Sequence, residues 1–67
     1  MEIVRLVRAL LSISQRDLAK RSGISVRELA RIESGEVYPR REAAAAVSRA
    51  FASIIIERAG KPVEGEA

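Results

Sequence analysis

The sequence predicts an all-α fold, a compact domain of four or five helices. Three observations favour it: apolar residues recur at helical spacing, serines and glycines stand where two short helices would begin and end, and the chain has only 67 residues. A chain this short buries about 60% of the surface of its unfolded state, so association with a second chain is a usual source of extra stability. We expect one domain over residues 1–60 and a flexible tail over 61–67.

The first predicted helix runs from Glu2 to Leu11. Four apolar residues recur there at i, i+3, i+4 and i+7: Ile3, Leu6, Val7 and Leu10. This period indicates an amphipathic helix whose apolar stripe faces the core. Val4 and Leu11 lie beside the stripe and widen it.

The second predicted helix runs from Gln15 to Ser22. Ser14 is a good N-cap, because its hydroxyl accepts a hydrogen bond from backbone N–H groups that have no helical partner. Leu18 is expected to face inward, next to the small Ala19. Gly23 ends the helix, because glycine adopts the left-handed conformation without steric cost.

The third predicted helix runs from Val26 to Ser34 and follows after a very short turn. Ser25 is its N-cap, and Glu28 stands three residues later, which is the capping-box pattern. Leu29 and Ile32 form the buried stripe, and Gly35 ends the helix. Two capped helices this close in sequence must cross steeply, which is helix-turn-helix geometry at helices 2 and 3.

Residues 40–59 have a helical pattern throughout, and the sequence allows two interpretations. One apolar stripe packs on the other helices, while a second set of apolar residues remains uncovered; a homodimer would cover it. The favoured interpretation is therefore a homodimer interface formed by Phe51, Ile54, Ile55 and Ile56. Alternatively, the helix breaks near Ala52 and Ser53, and a fifth helix folds back onto the monomer core.

Composition excludes several kinds of site. The chain has no cysteine and no histidine, so thiolate and imidazole ligands and the commonest general base are absent. We expect no catalytic residues, no metal, no cofactor and no small-molecule ligand. No apolar run approaches the roughly 20 residues that span a membrane, and charges within residues 1–11 argue against a secretory signal. We therefore predict that the protein is neither an enzyme nor associated with a membrane.

Positive charge is concentrated in the first two thirds of the chain. The net charge is +3, and residues 1–41 hold nine basic against five acidic residues, whereas residues 42–67 hold three against four. A basic surplus on the segment with the two capped helices favours contact with phosphates. Only one Phe and one Tyr are present, which argues against a platform for stacking single-stranded nucleic acid.

The segment S-Q-R-D-L-A-K-R-S-G-I-S-V-R-E-L-A-R-I-E-S-G, residues 14–35, resembles the phage repressor/Cro (Xre-type) helix-turn-helix family. The family pattern is S-Q-x-x-L-A, then G-V-S, then I-x-x-[IWL]-E-x-G, and the match runs without a gap from about residue 3 to residue 39. The resemblance implies a repressor-like domain that lays its third helix in the major groove of double-stranded DNA. It also implies a structural ion pair between Arg8 and Glu33. After Pro39 the Ala-rich sequence departs from the family.

The resemblance and the predicted exposure together select the residues that would contact DNA. Expected base contacts lie on helix 3: Val26, Arg27, Glu28 and Arg31. Arg27 is the first candidate, because arginine binds the O6 and N7 atoms of guanine in bidentate fashion. Expected phosphate contacts lie around the motif: Gln15, Arg16, Ser25, Arg40 and Arg41.

The function expected from these observations is a sequence-specific transcriptional regulator, a repressor that binds an inverted repeat as a homodimer. It would act in the cytoplasm, associated with the nucleoid through DNA. The alternative is an antitoxin or mobile-element control protein whose C-terminal helix binds a different protein.

Overall fold

The computed structural model describes residues 1–60, so the expected tail over 61–67 lies outside the described residues. Four α-helices make up the described chain: α1 (Glu2–Leu10), α2 (Gln15–Ser22), α3 (Val26–Ser34) and α4 (Arg41–Ala59). This confirms the all-α prediction with four helices and a helix-turn-helix at α2 and α3.

The N-termini of α2 and α3 are capped as the sequence predicts. The Ser14 hydroxyl accepts a hydrogen bond from the Asp17 N–H at 3.0 Å, and the Ser25 hydroxyl accepts one from the Glu28 N–H at 3.0 Å. Each bond satisfies a donor in the first helical turn, where no backbone partner exists. These caps fix where both helices begin.

A left-handed residue follows each of the first three helices. Gly23 and Gly35 adopt it after α2 and α3, with φ of 76° and 85°. After α1 the residue is Ser12, with φ of 56°, and the Ile13 N–H returns to the Arg8 carbonyl oxygen. The sequence offers no glycine there, and the predicted end of this helix, Leu11, lies one residue beyond the observed end.

The core lies where α2 packs on α3 and α4 and where α1 packs on α3. Its side chains come from all four helices and from the turn between α1 and α2: Val4, Ile13, Leu18, Ala19, Leu29, Val47, Ala50 and Ile54. Leu18, Leu29 and Ile32 are almost completely buried, as the spacing predicts. The core therefore holds α3 in place through its Leu29 and Ile32 face.

The predicted orientation of α1 is wrong. Val4, which the pattern places at the edge of the stripe, is the residue of α1 that enters the core, and Leu11 packs against the core beside it. Ile3, Leu6 and Leu10, which the pattern places inward, are exposed. The inward face of α1 carries Arg8, which donates a hydrogen bond to Glu33. Residues three or four positions apart share a helix face, so Met1, Val4 and Leu11 point inward together with Arg8.

Residues 41–59 form one helix, so the alternative of a break near Ala52 and Ser53 is wrong. The helix begins one residue later than predicted, with Arg40 in the N-cap position, and ends before Gly60. Its buried face is formed by Ala43, Val47, Ala50 and Ile54. No residue after Ile54 is buried up to residue 60, so the last turn of α4 extends beyond the core.

Candidate nucleic-acid interface

The exposed face of α3 carries the expected base contacts. Arg27 and Arg31 are exposed, Val26 is 41% exposed in the first turn, and Glu28 is half-buried. Leu29 and Ile32 anchor the opposite face of the helix in the core, so the arginines must point away from the protein. Among residues 1–60 Arg27 has no ion-pair partner, which leaves its guanidinium group available to an outside acceptor.

The α3 face continues into the loop that leads to α4. One shallow depression is lined by residues of α3, its cap and this loop: Ser25, Arg27, Glu28, Arg31, Val37, Tyr38, Pro39 and Arg40. Five of the nine expected DNA contacts therefore share one concave surface. The other four lie outside it: Val26 and Gln15 in the first turns of α3 and α2, with Arg16, and Arg41 at the start of α4.

Serine and arginine donors remain free for phosphate around this depression. The Ser25 oxygen accepts from Glu28, so its hydroxyl hydrogen can still be donated outward. Arg16, Arg40 and Arg41 are exposed, and none of them has an ion-pair partner among residues 1–60. Such contacts fix the position of a protein on DNA without carrying sequence information.

Arg8 and Glu33 form the bidentate pair that the resemblance implies. The Arg8 Nε atom lies 2.8 Å from Glu33 Oε2, and Arg8 Nη2 lies 3.0 Å from Glu33 Oε1. The same guanidinium donates to the Ile13 carbonyl oxygen at 3.1 Å. Arg8 thereby connects α1, the turn before α2 and the last turn of α3.

The side chain of Gln15, expected to contact phosphate, makes a hydrogen bond within the protein. Its Nε2 atom donates to Glu33 Oε1 at 3.0 Å, so its side-chain amide is held against α3. A second amide hydrogen and the backbone N–H at the start of α2 remain for an external oxygen. Gln15 therefore couples α2 to the end of α3, and any phosphate contact would come in addition.

The environment of Glu33 holds its carboxylate in the charged form. Burial by itself raises the pKa of Glu33, whose side chain is only 3% exposed, but hydrogen bonds from Arg8 and Gln15 and the charges of Arg8 and Arg5 outweigh burial. The pKa of Glu33 consequently lies below its ordinary value. The hydrogen bond that Arg8 donates to Glu33 raises the pKa of Arg8, so the pair stays ionised at neutral pH.

Two features near the interface were not predicted: one ion pair and one exposed aromatic ring. Arg31 Nε lies 3.6 Å from Glu36 Oε2, an exposed pair that holds the expected base contact beside the loop. Tyr38 is 86% exposed on the rim of the depression, where its hydroxyl can donate to phosphate. Its position directly before Pro39 indicated a loop but not that the ring would lie next to the arginines.

A second unpredicted ion pair joins the ends of α2 and α4. Arg21 donates to both carboxylate oxygens of Glu57, at 3.1 and 3.2 Å, and also lies 3.8 Å from Asp17 Oδ1. The hydrogen bond from Arg21 lowers the pKa of Glu57. No local spacing could reveal a pair 36 residues apart in the chain.

The expected dimer residues divide into two groups. Ile54 is 2% exposed and belongs to the monomer core, so it is withdrawn from the interface. Phe51 is half-buried against the core, while Ile55 and Ile56 are 49% and 55% exposed. Only the latter two are fully available to a second chain.

Other kinds of site find no support in the described part of the chain. Over residues 1–60, no group of three or more acidic side chains is placed to hold a metal ion. Within the same range, no helix combines the length and apolarity that crossing a membrane requires.

Comparison with known proteins gives one match. The family model described as helix-turn-helix matches residues 4–53, which is most of the chain and includes α2, α3 and the depression beside them. Neither the curated proteins nor the solved structures that were searched include a match.

Proposed function

The chain belongs to the Xre-type helix-turn-helix family of DNA-binding regulators, and from this premise we propose that it is a repressor that binds an inverted repeat as a homodimer. In this proposal α3 enters the major groove, with Val26, Arg27, Glu28 and Arg31 facing base edges. Occupancy of an operator by this domain would by itself block access to a promoter. The protein would act at the nucleoid in the cytoplasm.

One observation carries the proposal for base reading. Arg27 is an exposed arginine without an ion-pair partner among residues 1–60, in the first turn of a helix whose opposite face is fixed in the core. The N-terminal part of a recognition helix is the part that meets base edges. Arginine at that place suits guanine, whose O6 and N7 acceptors match its bidentate donors.

Phosphate contacts would surround this centre. Arg16 and Arg41 would neutralise phosphates on either side of the groove, and Arg40 would do so from within the depression. Ser25 and Gln15 would add uncharged donors next to the helix N-termini. We add Tyr38 to this group, because its exposed ring stands beside Arg40 with its hydroxyl free.

A selection from random double-stranded DNA with the purified protein tests the proposal. We expect a palindromic sequence whose half-sites contain guanine, and a mass on sedimentation that corresponds to two chains per operator. The Arg27→Ala variant should still enrich DNA weakly, because the phosphate contacts remain, but with preference lost at one position in each half-site. Failure of the wild-type chain to enrich any sequence at low salt would overturn the proposal.

The alternative function shares the DNA-binding half and differs in the partner. Ile55 and Ile56, exposed on the last turns of α4, would then hold the chain of a different protein, as in an antitoxin or mobile-element control protein. Co-purification of one such protein in fixed ratio, released by Ile56→Glu, would favour this alternative. Sedimentation of the isolated chain as a dimer that Ile56→Glu dissociates would favour the homodimer.

A further inference from the structure

The most apolar face of α1 points into solvent. Ile3 and Leu6 are each 54% exposed and Leu10 is 74% exposed, although their i, i+3, i+7 spacing is that of a buried stripe. Single exposed aliphatic residues are ordinary on protein surfaces, whereas several on one helix face mark a surface that another chain covers. A domain of this size gains much from covering them, because its own core is small.

This face of α1 is continuous with α4. An open groove of about 170 Å³ lies between the two helices, and apolar side chains from both of them line most of it. Val7 and Phe51 stand in the groove, and Ile55 follows Phe51 by one helical turn on the same side of α4. We call the resulting surface the α1–α4 apolar band, formed by Ile3, Leu6, Val7, Leu10, Phe51 and Ile55.

The area that a stable dimer buries indicates that a second copy of this chain would cover more than the end of α4. A stable interface buries about 800 Å² on each partner and uses about 20–30 residues a side. The exposed end of α4, residues 55–60, is far too small to supply this alone. A homodimer that begins at Ile55 and Ile56 must therefore extend over adjacent surface, and the adjacent apolar surface is the band.

The charge of the band also fits a second copy of the same chain. A two-fold contact places each patch against itself, so a patch of one charge sign would repel its own image. All six residues of the band are uncharged, and the two charged residues that share a depression with Ile3 and Leu6 are of opposite sign, Glu2 and Arg5. None of the six lines the depression that contains Arg27, and none is among the proposed DNA contacts, so the two proposed surfaces use different residues.

We propose that the α1–α4 apolar band packs against the same band of a second copy, so that α1 joins α4 in the homodimer interface. The inference rests on the homodimer of the proposed function and adds α1 to it. It also explains why the strongest apolar stripe of α1 is turned away from its own core.

Sedimentation equilibrium of the full chain tests the inference with three variants that each add one carboxylate. Leu6→Glu on α1 and Ile55→Glu on α4 should each weaken dimerisation roughly 10- to 100-fold, the range expected from burying a large aliphatic side chain. Ser53→Glu is the matched control, because Ser53 is exposed on α4 and borders a depression on the α2 side that no residue of the band lines. It should leave the dimer intact.

A second measurement keeps the test valid if a monomeric variant unfolds. The chain contains no cysteine, so Leu10→Cys introduces one thiol at the most exposed position of the band. Its alkylation should slow as protein concentration rises, because the dimer covers it. The thiol of Ser53→Cys should react at the same rate at every concentration.

Two results would overturn the inference. One is a wild-type chain that sediments as a monomer at every concentration; the other is a dimer that Leu6→Glu weakens no more than Ser53→Glu does. DNA selection with the same preparations separates this failure from failure of the proposed function. Operator enrichment with an unaffected dimer refutes the band alone, and a Leu6-dependent dimer that enriches no DNA refutes the function alone.

Discussion

Glu33 is the residue on which the positions of three helices depend. It is 4% exposed at the end of α3, and its oxygens accept from Arg8 of α1 and Gln15 of α2. A buried carboxylate is unfavourable unless it is paired and hydrogen-bonded, so removing one partner destabilises the folded state. The resemblance supplied the pair with Arg8, but the part of Gln15 could be found only from the structure.

Arg8→Ala is therefore expected to destabilise the protein by about 3 kcal/mol, the lower end for breaking a buried pair, because Arg8 itself is 20% exposed. Chemical denaturation measures the change. Arg21→Ala is the matched control, since it removes the exposed pair with Glu57, and exposed pairs contribute little. Equal losses in the two variants would refute a special role for the buried pair.

The lowered pKa of Glu33 predicts a dependence of stability on pH. Because the folded pKa lies below the unfolded one, the ionised pair stabilises the protein above the unfolded pKa, and the contribution is lost as pH falls through the folded pKa. The stability advantage of wild type over Glu33→Gln should thus be full above about pH 5 and shrink at lower pH. Thermal melts from neutral to acidic pH test this, with Glu42→Gln as the control for net charge. A constant difference would contradict it.

Tyr38 can be distinguished from the arginines by the salt dependence of DNA binding. A neutral hydroxyl releases no counterion, so Tyr38→Phe should lower affinity roughly tenfold without changing the slope of log K against log salt. Arg40→Ala, from the same depression, should reduce that slope by about 1. Fluorescence anisotropy on the selected site measures both. Binding of Tyr38→Phe as tight as wild type would exclude the hydroxyl contact.

At the scale of elements, the termini of α2 and α3 could be predicted and the orientation of α1 could not. Serine caps and glycine ends act through backbone groups within a few residues, so local sequence determines them. Which face of α1 is buried depends on where α3 and α4 lie, and the apolar period of α1 contains no such information. For this reason Ile3, Leu6 and Leu10, which belong to the α1–α4 apolar band, are exposed although their spacing predicts burial.

The turn after α1 is predicted to store strain at Ser12. A non-glycine residue in the left-handed region costs about 1–2 kcal/mol, and glycine recovers this at a backbone entropy cost of about 0.5–1 kcal/mol. Ser12→Gly should therefore stabilise the protein by roughly 0.5–1 kcal/mol, measured by thermal melting. Ser12→Ala keeps the strain and is the control. A glycine variant that melts below Ser12→Ala would contradict the prediction, because it would show that the entropy cost of glycine exceeds the strain.

At the scale of the whole molecule, the structure of α4 answers a question that the sequence left open, namely whether residues 40–59 form one helix or two. It is one helix of 19 residues, about 28 Å long, and closes the core with residues 43–54 while its last turn extends beyond it. The ion pair between Arg21 and Glu57 links this end to α2, across a separation that no sequence pattern spans. The depression beside α3 and the apolar band are formed by different residues of the domain.

The proposed function depends on Arg27 reading guanine, and one measurement tests this most directly. Each guanine of the selected site is replaced in turn by 7-deazaguanine, which lacks the N7 acceptor, and affinity is measured for wild type and Arg27→Ala. We predict one guanine in each half-site at which the wild type loses roughly tenfold and Arg27→Ala loses nothing further. Equal losses in both proteins at every guanine would contradict the proposal that Arg27 reads guanine.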